Sequence, residues 1–160
     1  GPAAARADLY RGKKCVLTPT AETRGEAVAT VRALWQAAGA EVSELSAEAH
    51  DRIFAAVSHL PHLAAFALVD ELAGRADAAA YFSFAASGFR DFTRIAGSSP
   101  EMWRDIALAN REALRAELDA YLAALVSLRD AIEREDAAAL TASFARARDA
   151  RAQWMKQQEP

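Results

Sequence analysis

At 160 residues the chain is long enough for one domain with its own core and short for two of ordinary size. A hydrophobic share of 52%, a charged share of 26% and abundant alanine against 7 Gly and 5 Pro describe a folded, helix-leaning protein rather than a disordered one. A net charge of −3 with no basic run interleaved with aromatics excludes a nucleic-acid module; no stretch approaches the roughly 18 apolar residues of a membrane span, and the lone Cys15 suits a reducing, cytoplasmic setting.

The chain opens Gly-Pro-Ala-Ala-Ala-Arg without an initiator Met, as a processed or tagged chain would, and shows no signal-peptide pattern. Lys13 to Thr18 is a short β-branched run closed by Pro19 and predicts a strand. Thr23 to Ala38 places Val28, Val31, Leu34 and Trp35 at helical spacing, with Gly39 just beyond as the C′ residue. Ala40 to Leu45 alternates and predicts a second strand. This β-α-β unit is too small to stand alone, so residues 1–45 are expected to be the tail of a larger α/β sheet.

From Ser46 onward the pattern is helical, and residues 46–160 are expected to form an all-helical domain. The fold class is therefore mainly α, with long helices after a short β-α-β remnant. Ser46 starts a helix through Phe54, Val57, Phe66 and Leu72 to Gly74. Pro61 lies inside it and cannot donate to the Val57 carbonyl, which predicts a kink over Ser58 to His62. Shorter helices are expected over Ala76–Ala86 and Phe89–Ala96, separated by a break at Ser87-Gly88. Ser99-Pro100 caps and starts a helix running to about Glu135, roughly 50 Å long. In it Leu114, Leu118, Tyr121, Leu125, Leu128 and Ile132 step by 4, 3, 4, 3 and 4, an apolar seam of the coiled-coil type. A last helix covers Asp136 to about Gln157. The seam is expected to pack on that helix and on a second copy of the chain, making a homodimer.

Two clusters carry chemistry. His50, His59 and His62 are the only histidines and fall within one helix. On an ideal helix His50, Ser58 and His62 lie within about 120° of one another, with His59 to the other side. Polar groups gathered at a helix break commonly line a pocket. His59-x-x-His62 lacks the further ligands of a zinc site, so no metal is expected. The second cluster is Ser87-Gly88-Phe89-Arg90-Asp91-Phe92-Thr93-Arg94. It offers two arginines one turn apart, whose planar forks suit carboxylates; the plainer alternative is an Asp91–Arg94 surface pair worth a few tenths of about 1 kcal/mol. No nucleophile–base pair, phosphate-binding loop or Gly-x-Gly-x-x-Gly occurs.

Three segments together resemble the prephenate dehydrogenase family. They are His50-Asp51-Arg52 with Ser58-His59-Leu60-Pro61-His62; Gly88-Phe89-Arg90-Asp91-Phe92-Thr93-Arg94-Ile95-Ala96; and Ser99-Pro100-Glu101-Met102-Trp103-Arg104-Asp105, with Asn110 beyond. The likeness spans roughly residues 8 to 155, and Leu17-Thr18-Pro19 resembles the end of the family's nucleotide-binding domain. It implies oxidative decarboxylation of prephenate to 4-hydroxyphenylpyruvate with NAD or NADP in tyrosine biosynthesis, or the same chemistry on arogenate, as in cyclohexadienyl dehydrogenases. It also implies that Arg94 binds a carboxylate of the small anionic substrate. Ser58 and His62 would hydrogen-bond its polar groups, His50 and Trp103 would shape the pocket, and Asp91 would join an ionic network near the entrance. His59 is expected to be structural. The family's catalytic histidine and Gly-rich loop have no counterpart in this sequence, so no catalytic residue is expected here, and Ser87 stands where the family often has glycine. Two further readings stay open: a stand-alone dimeric module binding dicarboxylates, and a purely structural helical dimer.

Overall fold

The computed structural model describes residues 5–157. It resolves into two compact units, Gly1–Leu114 and Arg115–Pro160. The first opens with β1 (Lys14–Leu17), α1 (Gly25–Ala37) and β2 (Glu41–Glu44), the expected β-α-β unit. β1 and β2 pair in parallel, with Lys14 opposite Glu41 and Leu17 opposite Glu44. Parallel pairing demands a crossover, and α1 supplies it. Gly39 takes φ 89°, the left-handed conformation that ends α1 and lets its carbonyl accept the Gly12 N–H at 2.9 Å. Arg32 of α1 reaches over to pair with Glu44. Tyr10 meets Trp35 edge to face at 4.9 Å.

Two strands are too few to bury a parallel sheet on both faces. The consequence is visible in α1: Leu34 is 66% exposed, and an open apolar hollow of about 340 Å³ lies between Val16, Leu17, Pro19, Val28 and Val31.

The helical part begins as the cap chemistry dictates. Ser46 accepts the Ala49 N–H at 3.1 Å and starts α2 (Ala47–Phe54). The irregularity expected around Pro61 is real, but it takes another form and sits one turn earlier. Ala55–His59 winds as a π-helical turn, the Leu60 N–H reaching back five residues to the Ala55 carbonyl. Pro61 then falls in the first turn of α3 (Leu60–Ala73), where a missing N–H costs least.

The continuous run Ala47–Ala73 is long and apolar enough to cross a bilayer by length and composition, contrary to the expectation that no stretch comes close. Its His59 side chain bonds Asn110 and its His62 ring stacks on Trp103, contacts of the kind a helix makes inside a packed domain.

After α3 come α4 (Ala78–Ser83), α5 (Ser87–Thr93), a 3-10 turn (Arg94–Gly97) and α6 (Pro100–Ala109). Ser87 and Gly88 do not break a helix; they form the first turn of α5, and the break lies at Phe84 to Ala86, with Ala86 in extended conformation as N-cap. Both α5 and the 3-10 turn pack against α3. Ser99 caps α6 as expected, accepting the Met102 N–H at 3.3 Å.

The single long helix expected from Pro100 to Glu135 is interrupted. Asn110 leaves helical geometry at φ −107°, ψ 33°, and α7 (Arg111–Glu133) starts after it. In the second unit Glu135 turns the chain with φ 53°, and Asp136 caps α8 (Ala137–Lys156) by accepting the Ala139 N–H at 2.9 Å. The seam expected to pack on this last helix is only partly covered in the single chain, with Leu114 buried, Leu118 and Leu128 half-buried and Tyr121 exposed. α7 and α8 make no extensive close approach among the described residues. Leu125 and Ile132 are exposed, as are Phe144 and Trp154 on α8.

Candidate functional site

The core of the first unit is thin, and Trp103 is its largest buried side chain at 8% exposure. Trp103 organises the site. The His62 ring stacks on it with centroids 3.6 Å apart and planes at 21°, and His59 meets it edge to face at 6.1 Å. Two of the three histidines, His59 from the π turn and His62 from α3, thus meet the same indole. The extra residue in the π turn changes the ideal-helix angles, and it brings His59 into the cluster rather than leaving it aside.

Hydrogen bonds fix the chemistry of each ring. His62 Nδ1 lies 2.9 Å from the Ser58 carbonyl oxygen. A carbonyl only accepts, so Nδ1 carries the proton and Nε2 is the nitrogen left to meet a ligand. Nε2 has no partner among the described residues, and neither does the Ser58 hydroxyl. The Trp103 indole N–H is buried without an acceptor, a donor whose desolvation costs about 1–3 kcal/mol until something accepts from it.

His59 Nδ1 lies 3.2 Å from the Nδ2 of Asn110, which also donates to the Asp51 carbonyl at 2.8 Å. Burial holds the His59 pKa below the ordinary 6.5, and charge on His50 and His62 lowers it further while Asp51 opposes.

His50 stands apart from that stack. Its ring lies on Phe54 at 4.3 Å, and Nδ1 contacts the Asp51 carboxylate at 2.9 Å. It faces a cleft of about 640 Å³ between β1 and the α2/π segment, lined also by Lys14, Val16, Leu45, Ile53 and Val57. That volume suits a small metabolite or part of a cofactor. Lys14 adds a cation there that the sequence did not single out.

Arg94 opens the 3-10 turn packed on α3, the helix that carries His62. It is exposed, with no ion pair or hydrogen bond among the described residues. Asp91 is likewise exposed and unpaired, so the plain Asp91–Arg94 surface pair does not form. The unpaired Arg94 fork has capacity for an anion; the ionic network expected around Asp91 is not made among the described residues.

Sequence reasoning missed Asn110, quoted only within a motif, and set His59 aside. The signal for Asn110 was present: asparagine is a poor helix-interior residue, and its side chain competes for backbone partners.

The residues present do not fit a dinucleotide by themselves. α1 is entered through Arg24 without a side-chain cap, and Gly25 alone stands at its start, without the Gly-x-Gly-x-x-Gly turn that lets a pyrophosphate near a helix N-terminus.

A parallel-strand remnant thus leads into a helical unit in which His62 is stacked on Trp103. The model for "Prephenate dehydrogenase, dimerization domain" matches residues 46–146, and that for "Prephenate dehydrogenase, nucleotide-binding domain" matches residues 1–44. The chain belongs to the prephenate dehydrogenase family.

Among its relatives, the cyclohexadienyl dehydrogenase of Zymomonas mobilis is 37% identical over 153 residues, covering 94% of this chain and 52% of the relative. The prephenate dehydrogenase of Bacillus subtilis is 38% identical over 152 residues, covering 94% and 41%. The chain thus spans about half the length of the curated relatives it matches. Of solved structures, prephenate dehydrogenase from Aquifex aeolicus in complex with hydroxyphenyl propionate and NAD+ superposes with a TM-score of 0.87 at 38% identity, over 96% of this chain and 54% of that one. Synechocystis arogenate dehydrogenase follows at 0.79 and 29%, over 92% and 54%.

Proposed function

We propose that this chain is the substrate-binding and dimer-forming half of a soluble, cytoplasmic dehydrogenase that oxidatively decarboxylates prephenate with NAD or NADP. Residues 1–45 complete a nucleotide-binding domain and residues 46–160 form the helical one. The observation that carries this reading is the unpaired Arg94 on a turn packed against the His62 helix. That helix's own ring is locked on Trp103 with Nε2 left for a ligand.

Each residue then has a task. Arg94 takes a substrate carboxylate in two-point contact. His62 Nε2 and the Ser58 hydroxyl hydrogen-bond the substrate's polar groups, and the Trp103 N–H supplies a further donor. His50 and Lys14 border the cleft where the two domains' residues meet, and Asp91 reaches partners outside its own chain. None of these abstracts the hydroxyl proton; they orient and hold charge, which lowers the barrier by positioning. A nicotinamide cofactor would supply the hydride acceptor, and the described residues of this chain do not hold it by themselves.

The open face of α7 and α8 supports a homodimer, in keeping with the description of the matched domain. The Zymomonas relative's name favours a second reading of the substrate, in which arogenate is accepted as well. One assay tests both: NADH or NADPH formation by the enzyme containing this chain, with prephenate and with arogenate in turn. Turnover of prephenate supports the main reading, and turnover of both supports the broader one. With neither oxidised, the proposal fails.

A further inference from the structure

Asn110 is one of the few buried polar side chains of the first unit, at 8% exposure, and it sits where α6 gives way to α7. Its Nδ2 lies 2.8 Å from the Asp51 carbonyl and 3.2 Å from His59 Nδ1. The carbonyl decides the orientation. Turning the amide over would press its oxygen against the Asp51 oxygen, so the NH₂ group must face both partners, one hydrogen for each. His59 Nδ1 is therefore an acceptor, and the proton of the neutral ring sits on Nε2.

The two bonds bracket the segment from Asp51 to His59. Asp51 is in the last turn of α2 and His59 closes the π-helical turn, so a single amide braces the segment whose extra residue swings His59 to Trp103. We propose that Asn110 is a positioning residue, whose buried amide braces the π turn and fixes His59 in its Nε2–H tautomer against Trp103. It thereby keeps the His62–Trp103 stack in register.

This assignment builds on the site described under Proposed function, although its evidence is independent of any substrate. The groups facing His59 are consistent with a neutral ring. His50 and His62 on its own helical run disfavour the charged form, Asp51 favours it, and Trp103 and Asn110 from α6 and its end bring no charge.

The test is a histidine tautomer measurement by ¹⁵N–¹H long-range NMR on the uniformly labelled 160-residue chain. Ring signals are assigned through His50→Gln, His59→Gln and His62→Gln. In the unmodified chain His59 should show an unprotonated Nδ1, a protonated Nε2, and titration below the ordinary histidine value. An Nδ1–H tautomer there overturns the proposal without any Asn110 variant being needed. Asn110→Asp, nearly the same shape, presents carboxylate oxygens instead. His59 should then gain a proton on Nδ1 and titrate above its unmodified value. Asn110→Leu should let both tautomers populate. If the tautomer and titration are the same in all three chains, Asn110 does not position His59. Loss of the Arg94 effect described below would sink the substrate site and leave this result untouched.

Discussion

Ile132→Ala tests the open seam of α7. Ile132 is 64% exposed in the single chain. Fully burying an isoleucine is worth about 1.5–3 kcal/mol, so covering its exposed share contributes about 1–2 kcal/mol. A two-fold dimer presents the residue twice, which raises the sum to about 2–4 kcal/mol. At about 1.4 kcal/mol per tenfold, the dimer dissociation constant should weaken by about 30-fold to several hundredfold. The lower end applies if the alanine methyl still packs. Sedimentation velocity over a dilution series reads the constant, and far-UV circular dichroism at high concentration checks that helix content is kept. An unchanged dissociation constant would show that the seam is not the interface. A chain that stays monomeric at every concentration would refute the dimer itself.

Other expectations follow from single contacts. Gly39→Ala should lower stability by about 1–2 kcal/mol in urea unfolding, because φ is 89° and the new Cβ would sit 3.2 Å from Arg11 Cα. Trp103→Ala should cost about 3–5 kcal/mol, since the indole is buried and holds His62; a small change in midpoint would mean the stack carries little of the core. The His59 pKa is depressed by burial and by neighbouring histidines, so the unfolded chain binds a proton there that the folded chain resists. Stability is therefore full above 6.5 and falls as pH drops through that value towards the lower folded one. Thermal melts across that window should show the slope, and His59→Gln should flatten it.

What the sequence made legible was local. Ser46, Ser99 and Asp136 each announce a helix start through a side chain that bonds the backbone three residues on, and each does so in the structure. Gly39 announces a left-handed turn. The features it concealed depend on distant partners. Asn110 breaks a run of good helix formers because its amide is committed to Asp51 and His59, more than fifty residues earlier. The π turn has no sequence signature of its own; Pro61 marks trouble, but hydrogen bonding moved the irregularity to Ala55–His59. Site residues named from the three motifs fall into separate groups, with His62 and Trp103 in contact, His50 in the cleft by Lys14, and Arg94 on its own turn. Spacing along a helix does not state which of them touch.

The central claim is that Arg94 grips the substrate's carboxylate. It is tested most directly by steady-state kinetics of Arg94→Ala and Arg94→Lys in the enzyme containing this chain. Loss of the charged fork should raise KM for prephenate well above about tenfold. Lysine should restore only part, because it keeps the charge but not the two-point geometry. A KM unchanged in both variants would contradict the account.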